Sequence, residues 1–117
     1  MKLVESIEGE MTEQEERELN GRMLEFAEFR LVDRKNHLWL DPGDSVWTCP
    51  PDFPSDLTAC FHPEWGIVRK LKETYRLSEV ADLLTSWVRV ITYYKCQGKE
   101  ALTLCLAVRD LLDKEGK

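Results

Sequence analysis

The spacing of apolar residues changes along the chain, and each change predicts a different element. Thr12 and Glu15 form a capping-box pattern, which predicts that a helix begins there. Its first turns, EQEERE, hold no apolar residue, whereas the following turns carry apolar side chains at helical spacing. These are Leu19, Met23, Phe26 and Ala27. We therefore expect only the second half of this helix to be buried.

From Phe29 to Leu40 the apolar residues follow the alternating period of a strand, with the polar sequence DRKN between two short runs. This pattern predicts a β-hairpin. Asp41-Pro42-Gly43 then ends the second strand and predicts a type II turn, because proline fixes φ at one turn position and glycine accepts positive φ at the next.

Residues 47–65, WTCPPDFPSDLTACFHPEW, hold four prolines. The prolines up to Pro54 exclude a helix interior or a central strand, so they predict a stiff segment that leads into the next element. Ser55-Asp56 supplies an N-cap for a helix that runs to about Tyr75. Since Pro63 lies inside that range, we expect this helix either to kink or to restart there.

The last third of the chain predicts a strand between two helices. SEVADLLTS, residues 78–86, favours a short helix, whereas WVRVITYY, residues 87–94, is rich in β-branched and aromatic side chains. Its apolar residues occur at both parities, which favours a central strand covered on both faces. A closing helix runs from Lys99 toward Gly116. The sequence thus predicts an α+β fold with a small, mostly antiparallel sheet between helices, a three-layer α-β-α sandwich.

Composition predicts one globular domain over residues 12–117, preceded by an extension over residues 1–11. The chain has 117 residues, of which 43% are apolar and 32% are charged. In the extension, Leu3, Val4 and Ile7 fit either a dimer contact or a frayed end. No apolar stretch has the length of a signal peptide or a membrane span, so we expect a cytoplasmic protein with reduced cysteines and no membrane contact.

The net charge of −6 belongs to the N-terminal part of the chain, because residues 1–28 hold nine acidic and three basic residues while the remainder is balanced. This balance disfavours general binding to nucleic acid. The exception is the basic run at residues 69–76, which could contact phosphates but more often forms the solvated side of a helix. Its cations are Arg69, Lys70, Lys72 and Arg76.

Metal and catalytic motifs are weak. Cys49, Cys60, His62 and Cys96 could in principle bind zinc, but they lack the close cysteine pairs of structural zinc sites. The sequence also has no nucleophile elbow, zinc-protease motif or glycine-rich phosphate loop. We therefore expect neither a metal nor another cofactor, and no enzymatic activity.

Five segments between about residues 19 and 115 form a recognisable pattern. They are LNGRMLEFA at 19–27, WLDPG at 39–43, PDFPSDLTAC at 51–60, the predicted strand that begins at Trp87, and EALTLCLAVRDLL at 100–112. This pattern resembles the phage ABA-sandwich family, which comprises small uncharacterised proteins of phages and prophages. The resemblance implies an α-β-α sandwich and a phage origin without an established chemistry. Relative to the family pattern, FHPE at residues 61–64 is an insertion of about one helical turn.

These features predict a phage-type accessory protein that acts through contacts with a host or phage protein. One alternative is an inhibitor of a host defence system, in which a projecting acidic helix covers a basic surface. Another is a weak nucleic-acid-binding module that uses residues 69–76. The contact candidates are Glu13, Glu15, Glu16 and Glu18, whose simpler role is to start the helix, and Phe61, His62 and Glu64, whose simpler role is a local bulge that returns Phe61 to the core. The oligomeric state is left open.

Overall fold

The computed structural model describes residues 12–94 and 98–114. Their helices are α1 (Glu13–Phe26), α2 (Leu57–Cys60), α3 (Ile67–Thr74), α4 (Leu77–Tyr93) and α5 (Glu100–Lys114). Their strands are β1 (Arg30–Asp33), β2 (Leu38–Leu40) and β3 (Val46–Trp47), and a 3-10 turn at Phe53–Ser55 precedes α2. The α+β class is confirmed. The predicted extension over residues 1–11, and Cys96, lie outside the described residues.

Helix α5 lies at the centre of the molecule. Residues 101–106 are all buried, as is Val108, so this helix is covered on almost every side. It packs against α1, α4 and the 3-10 turn. The closing helix is therefore confirmed, and the core is built around a helix rather than around a sheet.

Helix α1 begins as its capping pattern predicts. The Thr12 hydroxyl accepts a hydrogen bond from the Glu15 backbone N–H, and the Glu15 carboxylate accepts one from the Thr12 N–H, both at 3.1 Å. Leu19, Met23 and Leu24 are buried, which confirms that the second half is the anchored part. The helix ends at Phe26 and leaves its first turns at the surface.

The sheet is small and antiparallel, with strand order β1-β2-β3. The predicted hairpin is confirmed, with a register irregularity between Leu31 and Asp33. The short strand β3 was not predicted. The prediction of a type II turn was wrong, because positive φ occurs at Asp44 (65°) and not at Gly43.

The strand predicted at residues 87–94 was wrong, because residues 77–93 form one continuous helix. Val80, Trp87 and Val90 are buried at helical spacing, and the Trp87 indole N–H donates to the Glu100 carbonyl at 2.9 Å and to the Thr103 hydroxyl at 3.0 Å. Packing against α5 thus outweighs the local preference for a strand. Without this central strand, the three-layer sandwich is not confirmed.

The helix expected over residues 56–75 is divided into α2 and α3. Asp56 caps α2 as predicted, by accepting from the Ala59 N–H at 3.1 Å. A turn containing Pro63 follows, and α3 begins only after Gly66. Trp65, in this turn, packs edge-on against Trp47 of β3, with ring centroids 5.2 Å apart. This contact joins the interrupted helix to the sheet.

Candidate functional site

The acidic candidates of α1 divide between two sides of the helix. Glu13 and Glu16 face a groove, whereas Glu15 caps the helix and Glu18 accepts a hydrogen bond from Gln14. Glu13, Glu15 and Glu18 are exposed, and Glu16 is half-buried. The four residues therefore do not form one continuous acidic surface.

We call the cavity beside Glu13 and Glu16 the acidic groove. It has a volume of about 770 Å³ and lies between α1, β2 and the loop before the 3-10 turn. Trp39 of β2 is half-buried at its side, while Cys49 and Asp52 are exposed in the loop. Its polar and aromatic lining comprises Glu13, Glu16, Arg17, Asn20, Trp39, Cys49 and Asp52.

Asn20 fixes the loop against α1. Its side-chain amide donates to the Pro51 carbonyl at 3.1 Å and accepts from the Phe53 backbone N–H at 3.0 Å. Pro51 and Phe53 are buried, so these bonds satisfy backbone groups that would otherwise be costly to bury. The two sides of the groove are consequently held at a fixed separation.

The charges of the groove favour a cation. Three carboxylates, those of Glu13, Glu16 and Asp52, line it together with the guanidinium of Arg17. Arg17 lies 3.5 Å from Glu13, which is its ion-pair partner. Glu16 and Asp52 form no ion pair with another residue in the described part of the chain. Their negative charge is thus available to a ligand.

The FHPE turn, residues 61–64, lies away from the acidic groove. Phe61 is 44% exposed, so the prediction that it returns to the core was wrong. Its ring centroid lies 6.0 Å from that of Trp87. The His62 imidazole stacks on Trp65 with centroids 3.9 Å apart, and its Nδ1 accepts from the Glu64 N–H. Phe61 and His62 line a second, shallow cavity of about 440 Å³.

The basic candidates do not form one free cationic surface. Arg69 donates to Glu73 and to the Ala27 carbonyl, and Lys70 pairs with Glu28. The hydrogen bond from Lys70 lowers the pKa of Glu28, although desolvation opposes this effect. Lys72 and Arg76 are exposed. Two of the four candidate cations therefore have internal partners.

The described cysteines differ in how deeply they are buried. Cys60 and Cys105 are fully buried, and the Cys60 thiol donates to the Phe53 carbonyl at 3.3 Å. Burial, together with the neighbouring Cys60 thiol, raises the pKa of Cys105 well above its usual range. Cys49 is exposed, but no histidine among the described residues lines the groove with it. Within residues 12–94 and 98–114, no group of three or more His, Cys, Asp or Glu side chains could hold a metal ion.

Sequence reasoning missed the loop side of the groove. Trp39, Cys49 and Asp52 were not expected to adjoin the acidic helix. The two hydrogen bonds of Asn20 that hold the loop with Cys49 and Asp52 there join positions more than thirty residues apart. No helix in the described part of the chain is long and apolar enough to cross a membrane. Comparison with protein-family models, curated proteins and solved structures found no match to this chain.

Proposed function

We propose that this protein acts by binding a basic segment of a partner protein in the acidic groove. The observation that carries the proposal is the pair of carboxylates at Glu16 and Asp52, which come from separate elements, face one cavity and have no ion-pair partner in residues 12–94 and 98–114. Opposite charge at such a site speeds association and selects the partner.

The shape and lining of the groove also fit a lysine or arginine side chain. A cation gains from the face of an aromatic ring, and its aliphatic stem can lie along apolar surface. Trp39 supplies a half-buried indole at the side of the groove that faces α1. Since Asn20 holds the loop in place, little ordering of the protein is needed on binding.

The resemblance to the phage ABA-sandwich family supplies a biological setting for this binding. In that setting the protein is a phage accessory protein, or an inhibitor that covers the basic surface of a host defence protein. The carboxylates of Glu13, Glu16 and Asp52 in the acidic groove support the second role. The proposed binding does not depend on the sandwich fold that the resemblance implies, since residues 87–93 lie in a helix and not in a central strand.

Charge reversal on the two sides of α1 tests the proposal. The probe is a short peptide that alternates lysine and glycine, and its affinity is measured by isothermal titration calorimetry. We expect Glu16→Lys and Asp52→Lys each to weaken binding by about tenfold or more, which corresponds to about 1.4 kcal/mol. Glu18→Lys is the matched control, because it makes the same charge change in the same helix outside the groove.

The Glu18→Lys control distinguishes binding in the acidic groove from a general effect of net charge. If Glu18→Lys weakens binding of the peptide as strongly as Glu16→Lys does, net charge accounts for binding and the groove is not the site. If neither Glu16→Lys nor Asp52→Lys changes the affinity, the peptide binds elsewhere. Both results would contradict the proposal.

A further inference from the structure

The outer face of α4 carries an uncharged stripe along its whole length. Five exposed residues recur at intervals of four, four, three and four positions, which places them on one side of the helix. The stripe extends for about 22 Å at the rise of an α-helix. Its members are Leu77, Ala81, Thr85, Val88 and Thr92.

Large apolar side chains lie exposed at both ends of α4. Leu77, at the first position of α4, is 76% exposed, and Tyr93, at the last, is 80% exposed. Beside Tyr93 a shallow apolar depression of about 530 Å³ is lined in part by Val88, Arg89 and Thr92. An apolar projection at one end of the helix thus accompanies an apolar depression at the other.

Two opposite charges flank the stripe on the same side. Asp82 and Arg89 are seven residues apart, which is about two helical turns, so they project from nearly the same face. Both are exposed, and neither pairs with another residue of the described ranges. The midpoint between them lies between Thr85 and Ser86, close to the centre of α4.

This arrangement is complementary to itself. If two copies of α4 pack antiparallel about a two-fold axis that passes between Thr85 and Ser86, Asp82 of each copy lies opposite Arg89 of the other. The same axis brings the Leu77 end of each helix to the depression at residues 88–94 of the other. One rotation therefore matches both the charges and the apolar ends.

We propose that the outer face of α4 is the interface of an antiparallel, two-fold symmetric homodimer. The uncharged stripe forms its centre, and the two Asp82–Arg89 pairs fix its register. A contact made by one helix from each copy lies at the small end of the areas of specific protein interfaces, so we expect a weak, reversible dimer. The acidic groove lies on other elements, and the dimer does not depend on it.

Charge exchange between the two copies provides the test, with mass measured by sedimentation equilibrium over a series of protein concentrations. We expect the unmodified chain to approach twice its mass of 13.7 kDa as concentration rises. Asp82→Arg and Arg89→Asp should each weaken the dimer at least tenfold, since each places like charges together at both symmetric contacts. Glu79→Arg, on the same helix but outside the stripe and its flank, should leave it unchanged.

The two single variants should associate when they are mixed in equal amounts. One then carries two arginines where the other carries two aspartates, so every contact in the mixed dimer joins opposite charges. The double variant D82R/R89D should also restore the homodimer. If either single variant proves unfolded by circular dichroism, Val88→Lys, which places a charge in the stripe, takes its place.

A chain that remains monomeric at several hundred micromolar would overturn the proposal. So would a dimer that both single variants retain, because it would use another surface. Single variants that remain monomeric after mixing would overturn the antiparallel register.

Discussion

The carboxylate of Asp41 holds together the turn between β2 and β3. Only 7% of the residue is exposed, and it accepts hydrogen bonds from the Trp47 indole and from the backbone N–H groups of Gly43 and Ser45, at 2.9–3.0 Å. Burial by itself would raise the pKa of Asp41, but these donors together outweigh it and hold the pKa below its usual range. The ionised form therefore stabilises the fold.

Replacing this carboxylate gives a pH-dependent loss of stability. We expect Asp41→Asn to lower the free energy of unfolding by about 1–3 kcal/mol at neutral pH, since it weakens three hydrogen bonds to a buried, charged acceptor. Because the folded pKa of Asp41 is depressed, its contribution is present above the unfolded value of about 3.9 and is lost as pH falls through the folded value. The difference between the two proteins should accordingly shrink below about pH 4.

Urea unfolding at neutral pH and at about pH 3 measures this difference. Asp44→Asn is the control within the same turn, because its carboxylate is exposed and forms a surface pair with Arg30. Asparagine also accepts the positive φ found at position 44. A loss for Asp41→Asn that stays the same at both pH values would contradict the assigned role of the charge.

At the scale of elements, the sequence predicted the helices α1 and α5 and the hairpin, because their signals are local. Thr12 and Glu15 cap within one turn, and apolar residues recur at helical spacing from Ala101 to Leu112. The strand at residues 87–94 was predicted from its β-branched residues, which favour a strand locally. The contact that decides for a helix, between Trp87 and α5, joins residues that are separated in sequence. Read from Val80 onward, the spacing of the buried residues is helical. The groove was missed for the same reason, since Asn20 joins it across the chain.

The interruption between α2 and α3 depends on close packing at Gly66. A Cβ atom at this position would lie 2.6 Å from the Cys60 carbonyl oxygen and from both the backbone nitrogen and oxygen of His62. Backbone atoms cannot move aside cheaply, so we expect Gly66→Ala to lower the free energy of unfolding by about 1–3 kcal/mol.

Gly21→Ala is the matched substitution in α1. No atom lies within 4 Å of the Cβ that it would add, and alanine favours a helix over glycine by about 1 kcal/mol. The midpoint temperature of thermal unfolding should therefore fall for Gly66→Ala and rise for Gly21→Ala. A gain in stability for Gly66→Ala would contradict the packing of the turn.

At the scale of the whole molecule, the core around α5 divides the three cysteines of the described residues into two classes. Cys60 and Cys105 are fully buried, and the raised pKa of Cys105 keeps it protonated at neutral pH, whereas Cys49 is exposed. Because the thiolate is the reactive form, we expect a maleimide to modify Cys49 quickly and the two buried thiols only after unfolding.

Peptide mapping by mass spectrometry distinguishes the sites. The native protein should show modification of Cys49, and the urea-unfolded protein should show it at Cys60 and Cys105 as well. Fast labelling of Cys105 in the native protein would contradict the burial of α5.

The central claim, that the acidic groove is the binding site, is tested most directly by an NMR titration of the protein with the lysine-glycine peptide. We expect the largest amide shifts at Glu13, Glu16 and Arg17 of α1 and at Cys49 and Asp52 of the loop, and we expect these shifts to diminish at high salt, because screening weakens exposed charge pairs. Shifts centred on the Glu18 side of α1 or on the FHPE turn, with none in the loop, would contradict the claim.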